Sequence, residues 1–217
     1  MKKLSFLTIL LALFISSCKK DKLSKEEIQS KKIADIIPAK YLDTLKHLGI
    51  TIHEGTTPPN IEGIYEFKPV KSKASNISSD VIGSFFANAK VKFFSQSNED
   101  FGIQLIAKNL LNFNDTSIIT AVSGSGDNFT VYGRVKSNAG NDNAIFAIIL
   151  TGEKNGTSLK NVEWGLINVD NTNGGISFIL EGQARLMYDI DFESLAISSL
   201  RLSSDNSPKN IKSPGAR

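Results

Sequence analysis

Between Ile61 and Asp191 of this 217-residue chain, apolar and polar residues alternate with a period of two, and no other feature of the sequence restricts the fold as much. Successive side chains of a strand point to opposite faces, so alternation makes a ribbon with one buried and one wet face, as in an antiparallel sheet. The pattern is clearest where Phe129, Val131, Gly133 and Val135 oppose Thr130, Tyr132, Arg134 and Lys136, and where Ala89, Val91 and Phe93 oppose Lys90 and Lys92. It predicts strands over about residues 61–68, 87–95, 101–107, 117–122, 128–136, 143–152, 160–168 and 175–191. Ser125-Gly126-Asp127 and Asn155-Gly156 are turn formers, and Asn171-Thr172-Asn173-Gly174-Gly175 reads as a flexible turn. Links this short pair neighbours in order, as a meander. The exception is 69–86, roughly eighteen residues rich in Lys, Ser and Asn, long enough to call for a covering or functional role.

Ahead of the strands the period is helical. Ser24 and Glu27 have capping-box spacing and introduce a helix through about residue 34. Pro38 stands where a second helix would start, Tyr41, Leu42, Leu45 and Leu48 share one face, and Gly49 can close it. That stripe is expected to pack on the strands that follow, with docking onto another protein as the alternative. The organisation expected is a cleaved signal peptide over 1–17, a tether over 18–23, helices and a linker over 24–59, a β domain over 60–197 and a polar tail over 198–217.

The N-terminus carries an address. Lys2 and Lys3 precede an apolar run from Leu4 to Ile15, about twelve residues where a bilayer-spanning helix needs roughly 20. Ile15-Ser16-Ser17-Cys18 resembles the lipobox of bacterial lipoproteins. The resemblance implies cleavage before Cys18, a diacylglycerol thioether and an N-acyl chain on it, and stable anchoring by several chains. Lys19 in place of Asp implies the outer rather than the inner membrane. In Bacteroidota-type lipoproteins an acidic cluster after the cysteine favours surface display; here Lys19, Lys20 and Lys22 surround Asp21, leaving periplasmic and surface-facing sides both open. Cys18 is the only thiol, so its acylation excludes disulfides, thiolate catalysis and cysteine metal sites together. Without the signal, 23 basic side chains face 22 acidic ones, and no basic field is available for nucleic acid.

Eight strands in meander order, with the one long loop after the first, resemble the lipocalin-like (calycin) barrel over about residues 60–191. The resemblance implies an antiparallel eight-stranded meander barrel, with Gly63-Ile64-Tyr65 standing where lipocalins carry Gly-x-Trp and Trp164 on the seventh predicted strand. Pro58-Pro59-Asn60-Ile61-Glu62-Gly63, following a short helix, is similar to the start of uncharacterised Bacteroidota-type lipoproteins, which implies a location and little else. A β-sandwich is the alternative, since the same alternation serves both and closure depends on whether first and last strands pair. A closed eight-stranded barrel is filled by side chains or holds one small ligand. Its inward positions would be Tyr65, Phe93, Leu105, Val131, Trp164, Phe178 and Leu186, with Gly133, Gly165 and Gly182 marking bends, bulges or space.

Catalytic constellations are weak. His47 and His53 are the only histidines, on no fixed common face, where catalytic zinc needs three protein ligands. Asp170, Asn171, Asn173 and Gly174 fall short of a calcium loop, since Thr172 holds the third position and no Glu closes the twelfth. Ser123-Gly124-Ser125-Gly126 lacks nucleophile-elbow spacing. Glu163, Glu181, Asp189 and Asp191 offer paired carboxylates on paper only, because wet strand faces always scatter such residues. No catalytic residue, metal or cofactor is expected. The leading expectation is a non-enzymatic module at the outer membrane, holding a small apolar or amphipathic ligand at the barrel mouth beneath 69–86. The second is an accessory or scaffolding lipoprotein that binds another envelope protein.

Overall fold

The computed structural model describes residues 23–110 and 114–200, so the lipobox with Cys18 and most of the polar tail lie outside the described residues. Among the described residues the chain is mainly β, with two short helices and antiparallel sheets. Four long strands, β6 (Asn114–Ser125), β7 (Asn128–Ala139), β8 (Asp142–Asn155) and β9 (Ser158–Asn173), pair in order as a meander. Their tight turns place Gly126, Gly140 and Gly156 at φ near +60°, a conformation that favours glycine. The sheet continues from β9 through β10 (Ala184–Asp189) to β2 (Val70–Ser75) and β3 (Phe85–Phe86), while β11 (Glu193–Ser194) pairs with the start of β9. A three-stranded sheet holds β1 (Gly63–Phe67), β4 (Ala89–Phe94) and β5 (Gln104–Lys108) in the order β1-β4-β5.

Hydrogen bonds run between the two sheets at both margins. On one side Glu66 N donates to Leu195 O and Ile197 N to Ile64 O (3.3 and 2.8 Å), with Tyr65 opposite Ala196. On the other, Val122 N donates to Phe101 O at 2.8 Å and Thr120 Oγ1 bonds Ile103 O. Between the sheets lies one apolar cluster in which Tyr65, Phe67, Phe93, Phe129 and Trp164 are almost fully buried. At about 1.5–3 kcal/mol for each large side chain removed from water, this cluster is the main stabilising element.

Sequence and structure part company in three places. Residues 70–75, expected within the long loop, form β2; their buried positions are Val70 and Ser72, too little apolar content for alternation to register. The expected turn at Asn171 falls within the last residues of β9, which runs on to Asn173. The last predicted strand is regular only from Ala184, because residues 174–183 form a loop held by Asn76, whose Nδ2 donates to Gly182 O at 2.9 Å. That break resets the facing of side chains. Leu186, expected inside, lies with Ala184 on the opposite face, and Met187 takes the inner position. Gly182 is accordingly a loop residue, at φ +79°.

The helices explain why the second face is not wet. α1 (Lys25–Ile36) opens on the expected capping box: Ser24 Oγ accepts from Glu27 N, and the Glu27 carboxylate accepts from Ser24 N. α2 (Ala39–His47) follows Pro38, whose ring suits a helix start. Tyr41 and Leu45, on the expected stripe, are buried against the sheet, and Leu42 and Leu48 are half-buried. They join Ile36, Ile37, Ile50, Tyr132, Ile149 and Leu186 in a second apolar cluster. Gly165 on β9 makes the seat: a Cβ there would stand 2.9 Å from Leu45 Cδ2 and 3.3 Å from Ile50 Cδ1.

Candidate functional site

Six of the seven residues expected to line a ligand, Tyr65, Phe93, Leu105, Val131, Trp164 and Phe178, lie in the cluster between the sheets. They pack on one another rather than around a hollow: Tyr65 lies 6.3 Å from Phe93, Phe67 5.3 Å from Trp164, and Phe146 5.9 Å from Phe178, ring centre to ring centre. Beside Trp164, beneath Phe86 at the end covered by the 76–84 loop, is a cavity of about 30 Å³, roughly the volume of one water. The Trp164 indole N–H has no hydrogen-bond partner among the described residues. Arg185 closes over this end, its Nε and Nη2 donating to the Asp80 carboxylate at 2.7 and 2.9 Å. This end is therefore covered by a half-buried ion pair.

A roomier concavity with largely apolar walls lies on the other face. After α2 the chain turns back along the sheet, and residues 52–57 lie against β6 and β7. Gly124 N donates to Gly55 O at 2.9 Å and Thr57 N to Gly124 O at 3.1 Å; a Cβ on Gly55 would come within 2.7 Å of Gly124 O, so this approach requires glycine. His53 N donates to Thr130 Oγ1 at 2.8 Å, and Ser123 Oγ donates to His53 O at 2.6 Å. α1, α2 and this returning segment make the walls of a bowl of about 540 Å³. Small-ligand sites commonly occupy about 300–1,000 Å³.

Each wall contributes a distinct chemistry. Ile33 and Ala34 of α1, Ile37, Leu42 of α2 and Ile52 give apolar sides, and the Tyr132 and Ser123 hydroxyls, 3.3 Å apart, stand at the floor. Burial pushes the Tyr132 phenol above its ordinary range; the Ser123 hydrogen bond opposes that shift and the Glu54 charge adds to it. Gln29 is buried, and its Nε2 donates to Gly55 O at 2.9 Å and Val122 O at 3.1 Å. Lys32 on the next turn of α1 bonds the Asp100 carboxylate at 2.7 Å and, with Ser97, holds its pKa down to about 2. These contacts fix α1 at both its wall and its outer edge. The rim carries Glu26, Glu54 and Lys46.

The remaining candidates do not converge on a reaction centre. His47 Nδ1 lies 2.7 Å from Asp43 O within α2, and His53 engages Thr130 and Ser123 through its backbone. Thr172 N donates to Asp170 Oδ1 and Gly174 N to Asn171 O, the bonds of a turn. Glu163 pairs with Lys73, and Glu181 accepts from the Tyr41 hydroxyl. Asp189 is buried where β10 breaks from β11, accepting from Ser194 Oγ at 2.7 Å and Lys68 N at 3.1 Å. The bowl escaped the sequence reading because it belongs to no single element; the one hint was Gly55, ahead of the Thr-Thr-Pro-Pro break. No family model matches the chain, and no curated protein or solved structure proves similar to it.

Proposed function

We propose that this chain is a non-enzymatic binding module, lipid-anchored through Cys18 at the outer membrane, and that its small apolar or amphipathic ligand sits in the bowl between the helical pair and the sheet. The observation that carries the ligand site is space joined to apolar walls: about 540 Å³ bounded by Ile33, Ile37, Leu42 and Ile52 on the helical side, where the interior between the sheets leaves about 30 Å³ and the concavity of about 620 Å³ beside Lys32 and Asp100 is lined mainly by polar residues. In this reading the strands close into an eight-stranded, lipocalin-like meander barrel with a solid interior. β1 with β2, and β10 with β11, then count as single broken strands. Support comes from the backbone bonds that link the sheets at Glu66–Leu195, Ile64–Ile197 and Val122–Phe101. The barrel serves as a platform, and its outer face as the receptor.

The test is native mass spectrometry of residues 19–217, which retain every described element, purified without detergent. The expected result is a co-purifying small molecule that is lost when the bowl is filled by Leu42→Trp. A bound molecule unaffected by Leu42→Trp, or no bound molecule in the unaltered protein, would overturn the assignment.

A second reading, an accessory lipoprotein that docks on another envelope protein, has one observation in its favour. Val81 and Ile82 on one loop, Phe85 at the start of β3 just after it, and Ile176 and Leu180 on the loop whose Gly182 accepts from Asn76, are between 53% and 94% exposed. Large exposed side chains gathered in this way often mark a contact surface. Cross-linking in intact cells that recovers no reproducible partner would remove it.

A further inference from the structure

Two buried side-chain atoms lack a hydrogen-bond partner among the described residues, Glu163 Oε2 and Trp164 Nε1. Their surroundings differ. Glu163 has a side chain 21% exposed and an ion pair to Lys73 through its other oxygen. Trp164 is 1% exposed, and Nε1 is the only polar atom of its side chain. An indole N–H donates and cannot accept, so only an acceptor satisfies it. The Phe67 ring is no substitute: its centre lies 5.3 Å from that of the indole with the planes inclined by 32°, so an N–H in the indole plane runs past the Phe67 face rather than into it. Trp164 also lines the cavity of about 30 Å³ at this end of the apolar cluster, with Asn109 and Arg185 as the other polar side chains of its wall. A cavity holds a water once it offers about 10–15 Å³ and at least two polar partners, whereas purely apolar cavities stay dry. This one passes the first threshold twice over and has three polar side chains around it. Fixing one water costs entropy, but in general less than keeping a buried donor dry.

We propose that the interior between the sheets contains one binding site, at Trp164, for a single neutral, water-sized hydrogen-bond acceptor, and that water fills it. The indole N–H donates to the water oxygen. A larger acceptor does not fit in about 30 Å³, and an anion of that size would lose its hydration among Val70, Phe86 and Leu166. The site lies across the sheet from the bowl and does not depend on the bowl's role.

Trp164 is the only tryptophan, so its indole proton gives a single resonance that NMR can follow in isotope-labelled residues 19–217. The expected result is cross-relaxation between that proton and the water signal, with opposite signs in the laboratory and rotating frames, the signature of dipolar contact with a held water. Equal signs, which report proton exchange with bulk, or no cross-peak at all, would overturn the assignment. So would an indole proton shifted upfield without water contact, which would place the N–H over the face of Phe86. Val70→Ile adds one methylene to the cavity wall and keeps a β-branched residue in β2, and it should abolish the contact. A contact that persists in this variant, with the rest of the amide spectrum retained, would put the water elsewhere and overturn the site. If Val70→Ile does not fold, the measurement on the unaltered protein decides.

Discussion

The two faces of the same strands have been finished differently. Phe129, Val131 and Val135 of β7 look into a space that the opposing sheet fills with rings, whereas Tyr132 looks out beneath two helices that cover it incompletely. Strand on strand, side chains meet at regular spacing and interdigitate to near-crystalline density. Helices of 12 and 9 residues, joined through Ile37 and Pro38 and followed by a returning segment, cannot tile a twisted sheet, and the uncovered part is the bowl. The filled interior gives stability, and in the function proposed above the incompletely covered exterior is the receptor.

The largest effect that would break this comparison is expected at Phe93, 1% exposed and packed against Tyr65. Phe93→Ala should cost about 3–5 kcal/mol in urea unfolding, the usual range for deleting a buried ring, and leave the affinity for a small amphipathic probe, decanol, unchanged wherever the protein remains folded. A large loss of affinity with little loss of stability would reverse the roles assigned to the two faces.

Asp189 sharpens the comparison next, as a carboxyl buried at the margin of the dry side. Burial pushes it up to about 7, with the nearby Asp191 adding to the shift against the Ser194 hydrogen bond. The unfolded chain releases this proton near 3.8 and the folded chain holds it to about 7, so the unfolded state binds fewer protons in between. Stability should therefore fall as pH rises from about 4 through 7, by roughly 2–4 kcal/mol at about 1.4 kcal/mol per unit. Asp189→Asn should flatten that slope, measured by urea unfolding at pH 5 and pH 8. An unchanged slope would show that Asp189 ionises in the folded protein as it does in water.

Gly165→Ala is the smallest and most selective change. Its new Cβ would press on Leu45 Cδ2 and Ile50 Cδ1, the side chains that seat α2. The expected cost is about 1–2 kcal/mol in thermal unfolding, within the usual range for overpacking, together with weaker probe binding as α2 shifts. Unchanged binding would detach the bowl from the seating of α2.

How much of this was legible depended on how local the cause was. The capping box at Ser24 and Glu27, the stripe of Tyr41 and Leu45, and the alternation of β4 and β7 are properties of a few neighbouring residues, and each appears where the sequence placed it. The facing of Leu186 depended on whether residues 175–183 were strand, which is decided by Asn76 a hundred residues earlier, so the parity carried forward from Phe178 was off by one face. Strand β2 was hidden because Ser72 and Ala74 occupy its inner and outer positions as small residues. The wet face inferred from Lys90 and Lys92 was half right: Lys92 lies over Phe94, but Lys90 is buried and reaches Glu66. The bowl required three segments to meet and had no local signature.

The most direct measurement is methyl-labelled NMR of residues 19–217 titrated with decanol. Shifts should concentrate on Ile33, Ile37, Leu42 and Ile52, while Leu105, Val131 and Ile148 between the sheets stay in place. The reverse pattern, with the inner methyls moving and the helical ones silent, would contradict the account by placing the ligand inside the strands.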